Sequence, residues 1–185
     1  MADVNGEVRL FIGVEPDRAT QKFLDATVEH LRRLSLPRDA RWIGHSNRHL
    51  TLAFLGEVAS TQVEDIESRL QATASRHPAL FAQAVCTQPF PKQRSRLLAT
   101  ELLPNPELDA LHRDCRQLML DIGIPPESAS YRPHFTLARS RRGFSRLQPL
   151  PASHLCHLDN LVLYHSLLAP GGSQYSKLCQ YALSG

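Results

Sequence analysis

Apolar residues alternate from Glu7 to Val14, with Val8, Leu10, Ile12 and Val14 on one side of an extended chain, and this pattern predicts a strand. From Pro16 the period lengthens. Phe23, Leu24, Val28, Leu31 and Leu34 recur at helical spacing, so a helix is predicted there, ended by Pro37. A connection holding Trp42 follows, and then a strand from about Leu50 to Leu55, stopped by Gly56. Val63, Ile66 and Leu70 predict a helix over Thr61 to Ala74. Two further strands are predicted near Phe81 to Thr87 and Arg96 to Leu102, separated by the turn-rich Pro89-Phe90-Pro91. After a break at Pro104 and Pro106, Leu108, Leu111, Cys115, Leu118 and Ile122 give an amphipathic helix closed by Gly123. The last strands are predicted at Leu158 to Leu163 and Tyr175 to Ala182, joined through Pro170-Gly171-Gly172.

A weak duplication runs through this pattern. A helix, a proline-containing connection and a strand occur from Pro16 to Phe54, and again from Leu108 through Pro125, Pro126 and Pro133 to Leu137. The fold class that follows is α+β, a pair of sheet-containing lobes packed around a shared cleft. At 185 residues the chain fits one domain, 1–185, and its 42% hydrophobic content suffices for a sizeable core.

The two repeated strands carry the same tetrapeptide pattern, His-x-Thr-Leu, as His49-Leu50-Thr51-Leu52 and His134-Phe135-Thr136-Leu137, each followed by an alanine. In a strand, successive side chains point to opposite faces. His49, Thr51 and Ala53 therefore share one face and Leu50, Leu52 and Phe54 the other, and the second copy divides in the same way. Two imidazoles and two hydroxyls can line one cleft. Histidine has an unperturbed pKa of about 6.5, so one ring can act as base while another acts as acid near neutrality. For displacement at phosphorus, a neutral imidazole deprotonates a water while a protonated one supplies the leaving oxygen, and the threonine hydroxyls donate to non-bridging oxygens. This chemistry needs no metal. Arg139 could add a bidentate contact, although strand parity puts it on the Phe135 face unless a bulge or twist falls near Ala138. Arg132 has the parity of His134 and competes as a phosphate ligand.

Charge adds a location. The net charge of +3 is too small to identify a nucleic-acid binder, yet Lys92, Arg94 and Arg96 cluster in one segment, and Arg139, Arg141, Arg142 and Arg146 cluster directly after the second motif. Four separated cysteines, Cys86, Cys115, Cys156 and Cys179, fit reduced thiols in a cytoplasmic protein better than a disulfide framework. Neither the opening Met-Ala-Asp-Val-Asn-Gly-Glu nor any longer apolar run suggests secretion or membrane insertion. His154 and His157 have HxxH spacing without a surrounding ligand set, so no metal site is expected, and the absence of a GK[ST] after Gly171-Gly172 gives no support to a triphosphate site.

Three stretches resemble the two-histidine phosphoesterase superfamily, and within it the bacterial RNA 2′,3′-cyclic phosphodiesterases first described as 2′-5′ RNA ligases. They are Arg9-Leu10-Phe11-Ile12, the run from Asn47 to Val58, and Arg132-Pro133-His134-Phe135-Thr136-Leu137-Ala138-Arg139. Two such motifs 85 residues apart in strand context make the resemblance specific. It implies a bilobal fold with pseudo-twofold symmetry and helices on the outside. It implies His49 and His134 as the catalytic pair, Thr51 and Thr136 as their hydroxyl partners, and Arg139 at the phosphate-contacting position. It also implies opening of an RNA 2′,3′-cyclic phosphate to a 2′-phosphate, with weak 2′-5′ ligation by related chemistry. By that analogy His134 activates water and His49 protonates the departing O3′.

Phe11, at the place the resemblance gives a cleft-side aromatic, and Tyr131, beside Arg132, are candidate substrate contacts together with Arg132. No cofactor, no metal and no membrane are implied, and a monomer acting on an RNA with a 2′,3′-cyclic phosphate end or a 2′-5′ linkage is expected. The alternatives are a related phosphodiesterase acting on 2′-5′ oligonucleotides or small cyclic nucleotide phosphates, and a non-catalytic module that holds RNA ends.

Overall fold

Two of the helices start at side-chain caps. Asp17 accepts from the Thr20 N–H at 2.9 Å to start α1 (Arg18–Arg32), and Asn105 accepts from the Leu108 N–H at 2.8 Å, with Pro106 in the first turn, to start α3 (Pro106–Asp121). The molecule is described by a computed structural model over residues 6–185, so the opening residues on which the reading of secretion rested lie largely outside the described residues. Among the described residues no helix is long and apolar enough to cross a membrane. The remaining elements are β1 (Glu7–Val14), β2 (Arg41–Trp42), β3 (Leu50–Ala59), α2 (Val63–Ala74), β4 (Leu80–Phe90), β5 (Leu97–Leu102), β6 (His134–Arg139), β7 (Leu150–Leu158), β8 (Asn160–Ala169) and β9 (Gly172–Ala182).

One antiparallel sheet runs in the order β7-β4-β5-β6-β3-β1-β8-β9, with β2 added beside β6. Four strands lie on each side of the seam between β6 and β3. That seam is held by a single backbone register pair, Leu50 with Phe135, so the two motif strands are neighbours at the centre of the molecule. The sequences β1-α1-β3 and β5-α3-β6 repeat strand, helix and motif strand around it. Leu10, Ile12, Leu50, Leu52, Phe135 and Leu137 turn to one face and form a core with Leu24, Leu31, Leu108, Leu111 and Cys115 of the helices. On the other face of β1 and β8, Phe11, Val162 and Tyr164 form a small separate cluster that Tyr175 packs against.

Several boundaries differ from expectation. Gly56 does not stop β3. It takes φ +73° beside an irregularity in which Leu10 pairs with Gly56 and Phe11 with Phe54, leaving Leu55 extra. A second irregularity, between Ile12 and Gly13, leaves Leu52 extra and reverses the alternation ahead of it. Leu55 is 4% exposed and enters the core, whereas Phe54 is 39% exposed and lies beneath the Arg9 guanidinium at 5.0 Å. α1 ends at Arg32, before Pro37, and β4 continues through Pro89 and Phe90. β7 had no predicted counterpart. Its Pro151 and scattered polar residues fit an edge strand, which can forgo one N–H of the ladder. β8 runs past Leu163 to Ala169 and returns through Pro170-Gly171 into β9.

Candidate active site

His49 immediately precedes β3 and His134 opens β6, so the central seam brings the two motifs together. Each imidazole is held in the same way. Nδ1 of His49 lies 2.8 Å from the Asn47 carbonyl oxygen, and Nδ1 of His134 lies 2.8 Å from the Arg132 carbonyl oxygen, two residues back in both cases. A carbonyl can only accept, so each Nδ1 carries the hydrogen and Nε2 is the basic nitrogen of each neutral ring.

Aromatic groups back both rings. Phe11 sits 4.6 Å from His49, with Tyr164 at 5.6 Å and Tyr175 edge-on at 5.1 Å, while Phe90 stacks on His134 at 4.0 Å. This apolar surround disfavours charge. His49 is lowered to about 4, chiefly by burial, with the charges of His134 and Arg139 adding to the shift and the hydrogen bond to Asn47 opposing it. His134 is also lowered, chiefly by burial, with the Arg132 carbonyl and the Glu101 carboxylate working the other way. The interaction between His49 and His134 means that their protons are coupled.

Thr51 lies opposite Gly13 of β1 and Thr136 opposite Ala99 of β5, so each hydroxyl stands beside its histidine across from a small residue. Neither hydroxyl has a hydrogen-bond partner among the described residues. The bulge that Arg139 required is present. Ala99 pairs with Thr136 and Leu98 with Ala138, leaving Leu137 extra, and Arg139 emerges exposed with its charge acting on both imidazoles. Arg132 is committed elsewhere. Its guanidinium pairs with the Glu101 carboxylate, donates to the Pro91 carbonyl at 2.8 Å and covers the Phe90 ring at 4.5 Å. Tyr131 stacks on His112 at 3.8 Å and donates its hydroxyl to the Thr51 carbonyl at 3.1 Å, which ties the second motif's approach to the first motif's strand.

Some supporting residues were not among the candidates from sequence. Asn47 donates to the Ser173 carbonyl at 3.0 Å and accepts from the Tyr175 N–H at 3.4 Å, clamping β9 to the His49 turn. Arg48, 6% exposed, anchors the same turn to Gln21 and Asp25 of α1. Glu101 faces His134 across the β5–β6 ladder. Only the tertiary structure shows the contacts of Asn47 and Arg48 and brings Glu101 to His134. His154 bonds Thr20 at 3.2 Å and stacks on Phe23, and among the described residues no three His, Cys, Asp or Glu side chains converge to hold a metal. A hollow of about 520 Å³ beside the start of α1, lined by Glu15, Arg18, Gln21, Lys22 and His45, contains neither motif histidine.

Comparison with known proteins finds similar chains. Residues 14–96 match the model described as LigT like Phosphoesterase. A Bacillus subtilis (strain 168) protein named RNA 2′,3′-cyclic phosphodiesterase is 33% identical over 104 residues, 56% of this chain and 57% of that one. Over this part of its length the chain resembles the LigT-like phosphoesterases. Its match to the Bacillus relative spans a little over half of that protein's length. A Thermotoga maritima protein of the same name is 25% identical over 183 residues, 94% of this chain and 96% of that one. A crystal structure from Thermus thermophilus shares the fold, with a TM-score of 0.85 at 23% identity over 96% of this chain and 98% of that one.

Proposed function

We propose that the protein is an RNA 2′,3′-cyclic phosphodiesterase that opens the terminal cyclic phosphate to a 2′-phosphate by two-histidine acid–base catalysis without a metal. One observation carries the reading. Both motifs present an imidazole with the same tautomer, held by the same i−2 carbonyl, next to a threonine hydroxyl that has no partner among the described residues, on adjoining strands. Nε2 of one ring takes a proton from water as the water oxygen bonds phosphorus. Nε2 of the other gives a proton to O3′ as the P–O3′ bond breaks, leaving a 2′-phosphate and a 3′-hydroxyl. Following the family resemblance, we assign water activation to His134 and protonation of O3′ to His49. Thr51, Thr136 and Arg139 donate to the non-bridging oxygens as charge builds there. The phosphate's own negative charge, placed between the rings, raises both imidazole pKa values and offsets the depression seen in the free protein.

A 5′-hydroxyl attacking in place of water would join the strands by a 2′-5′ bond, which gives the same site a weak ligase activity. The names of the Bacillus and Thermotoga relatives support an RNA substrate. We take residues 1–185 as one functional unit that acts as a cytoplasmic monomer. The deciding experiment incubates the protein with EDTA and an oligoribonucleotide ending in 2′,3′-cyclic phosphate and identifies the product. A 2′-phosphate that vanishes with His49→Ala and with His134→Ala is expected. Turnover abolished by the chelator, or retained in both variants, refutes the mechanism.

A further inference from the structure

The two basic clusters lie far apart in the chain but adjoin in space. The segment after β4 and the segment after β6 are bonded to each other, with the Ser140 N–H donating to the Arg96 carbonyl at 2.9 Å and the Phe144 N–H to the Ser95 carbonyl at 3.1 Å. Phe144, 1% exposed, pins this junction to the core. Asp39 grips it from the other side, accepting from the Ser140 hydroxyl at 2.8 Å and from the backbone N–H groups of Arg141 and Arg142. Because Asp39 is occupied by these donors, it neutralises no guanidinium. Lys92, Arg94, Arg96, Arg139, Arg141, Arg142 and Arg146 are all exposed, and among the described residues none of them is in an ion pair.

A second observation joins this surface to the histidines. β2 pairs with β6 so that Arg41 stands directly across from Arg139. Cross-strand partners share a face, and Trp42, on the opposite face, turns toward α1, where Arg32 covers its ring at 5.3 Å. Two arginines facing each other without a carboxylate are destabilising on their own, and an anion between them removes the penalty. Arg139 is the one whose charge reaches both imidazoles. Arg41 escaped the sequence reading because β2 is too short to announce itself.

We infer that Arg41 and the two interlocked loops, leading away from Arg139 at the reacting phosphate, form a track for the phosphodiester backbone of the RNA strand 5′ of its terminal nucleotide. The track rests on the reaction proposed above and makes the substrate an RNA strand in preference to a mononucleotide. Lysine and arginine side chains that neutralise backbone phosphates release the counterions condensed on a single strand, with a slope of about 0.7 per phosphate. Three engaged phosphates therefore weaken binding about 20-fold for a fourfold rise in salt.

The test compares wild type with the triple variant Arg94→Ala, Arg96→Ala, Arg141→Ala and, separately, with Arg41→Gln. Two readouts are taken for each: the ratio of kcat/KM on a cyclic-phosphate oligoribonucleotide to that on a nucleoside 2′,3′-cyclic monophosphate, and the salt dependence of anisotropy for a labelled oligoribonucleotide ending in 2′-phosphate. The wild-type ratio should exceed one by about tenfold or more, and both variants should bring it down and flatten the salt dependence by about one phosphate or more. A wild-type ratio of one, or variants with unchanged ratio and slope, overturns the track. If the monophosphate and the oligonucleotide are both inert while the anisotropy slope is steep and falls in the variants, the track stands and the proposed reaction fails.

Discussion

Gly13 lies across the ladder from Thr51, and replacing it with alanine is a sharp test of how tightly the first motif is positioned. A Cβ at Gly13 would sit 2.8 Å from the Leu50 carbonyl oxygen and 3.3 Å from Cε2 of Tyr164. Tyr164 can yield by a small ring movement, but the carbonyl belongs to the backbone between His49 and Thr51. Restoring an ordinary 3.4 Å contact needs the Leu50 peptide to retreat by about 0.6 Å. Displacements on the order of 1 Å at a reacting group cost about a hundredfold, so kcat/KM on a cyclic-phosphate substrate should fall by about 10- to 100-fold. The same overpacking should cost about 1–3 kcal/mol of stability. Gly44→Ala is the control, because its added Cβ meets nothing within 4 Å. Steady-state kinetics would be read beside thermal unfolding followed by circular dichroism. A folded Gly13→Ala protein with wild-type kcat/KM would refute the claim that this β1–β3 contact sets the position of His49 and Thr51.

Other expectations follow from the same geometry. The pH profile of kcat/KM should be bell-shaped with its maximum below 6.5, because burial depresses both imidazoles in the free protein and takes His49 to about 4; a maximum on the alkaline side contradicts the burial argument. His49 is held neutral on folding while its unfolded counterpart titrates near 6.5, so its contribution to stability is complete above 6.5 and is lost as pH falls from there toward 4. Denaturant midpoints measured across that window should decline with acidity, and less so in His49→Gln. Tyr131→Phe removes one hydrogen bond to the Thr51 carbonyl and should cost about 0.5–1.5 kcal/mol of stability, with KM nearly unchanged. A raised KM at intact stability would make Tyr131 a substrate contact instead. Asn47→Ala breaks the clamp between β9 and the His49 turn and should lower kcat more than it changes KM, because the Asn47 carbonyl that holds His49 loses its support. Equal kcat in wild type and variant would show that the turn holds itself.

Local patterns determined much of this protein. The strand from Glu7 to Val14, the three helices and the duplicated His-x-Thr strands were legible because each depends on periodicity within one segment, helped in α1 and α3 by a cap. The repeated motif named the histidines and threonines as candidates for the same reason: a strand puts residues i and i+2 on one face wherever it lies. Bulges were not legible, since they arise when two strands of unequal path are paired. They turned Phe54 outward, let β3 pass Gly56 and brought Arg139 to the histidine side. β7 stayed hidden because an edge strand carries little apolar alternation. Only the tertiary structure placed Arg41 opposite Arg139, gave Arg132 to Glu101 and merged two basic segments into one surface. These are long-range events, and their physical cause is the register of β2, β5 and β6, which no window of sequence contains.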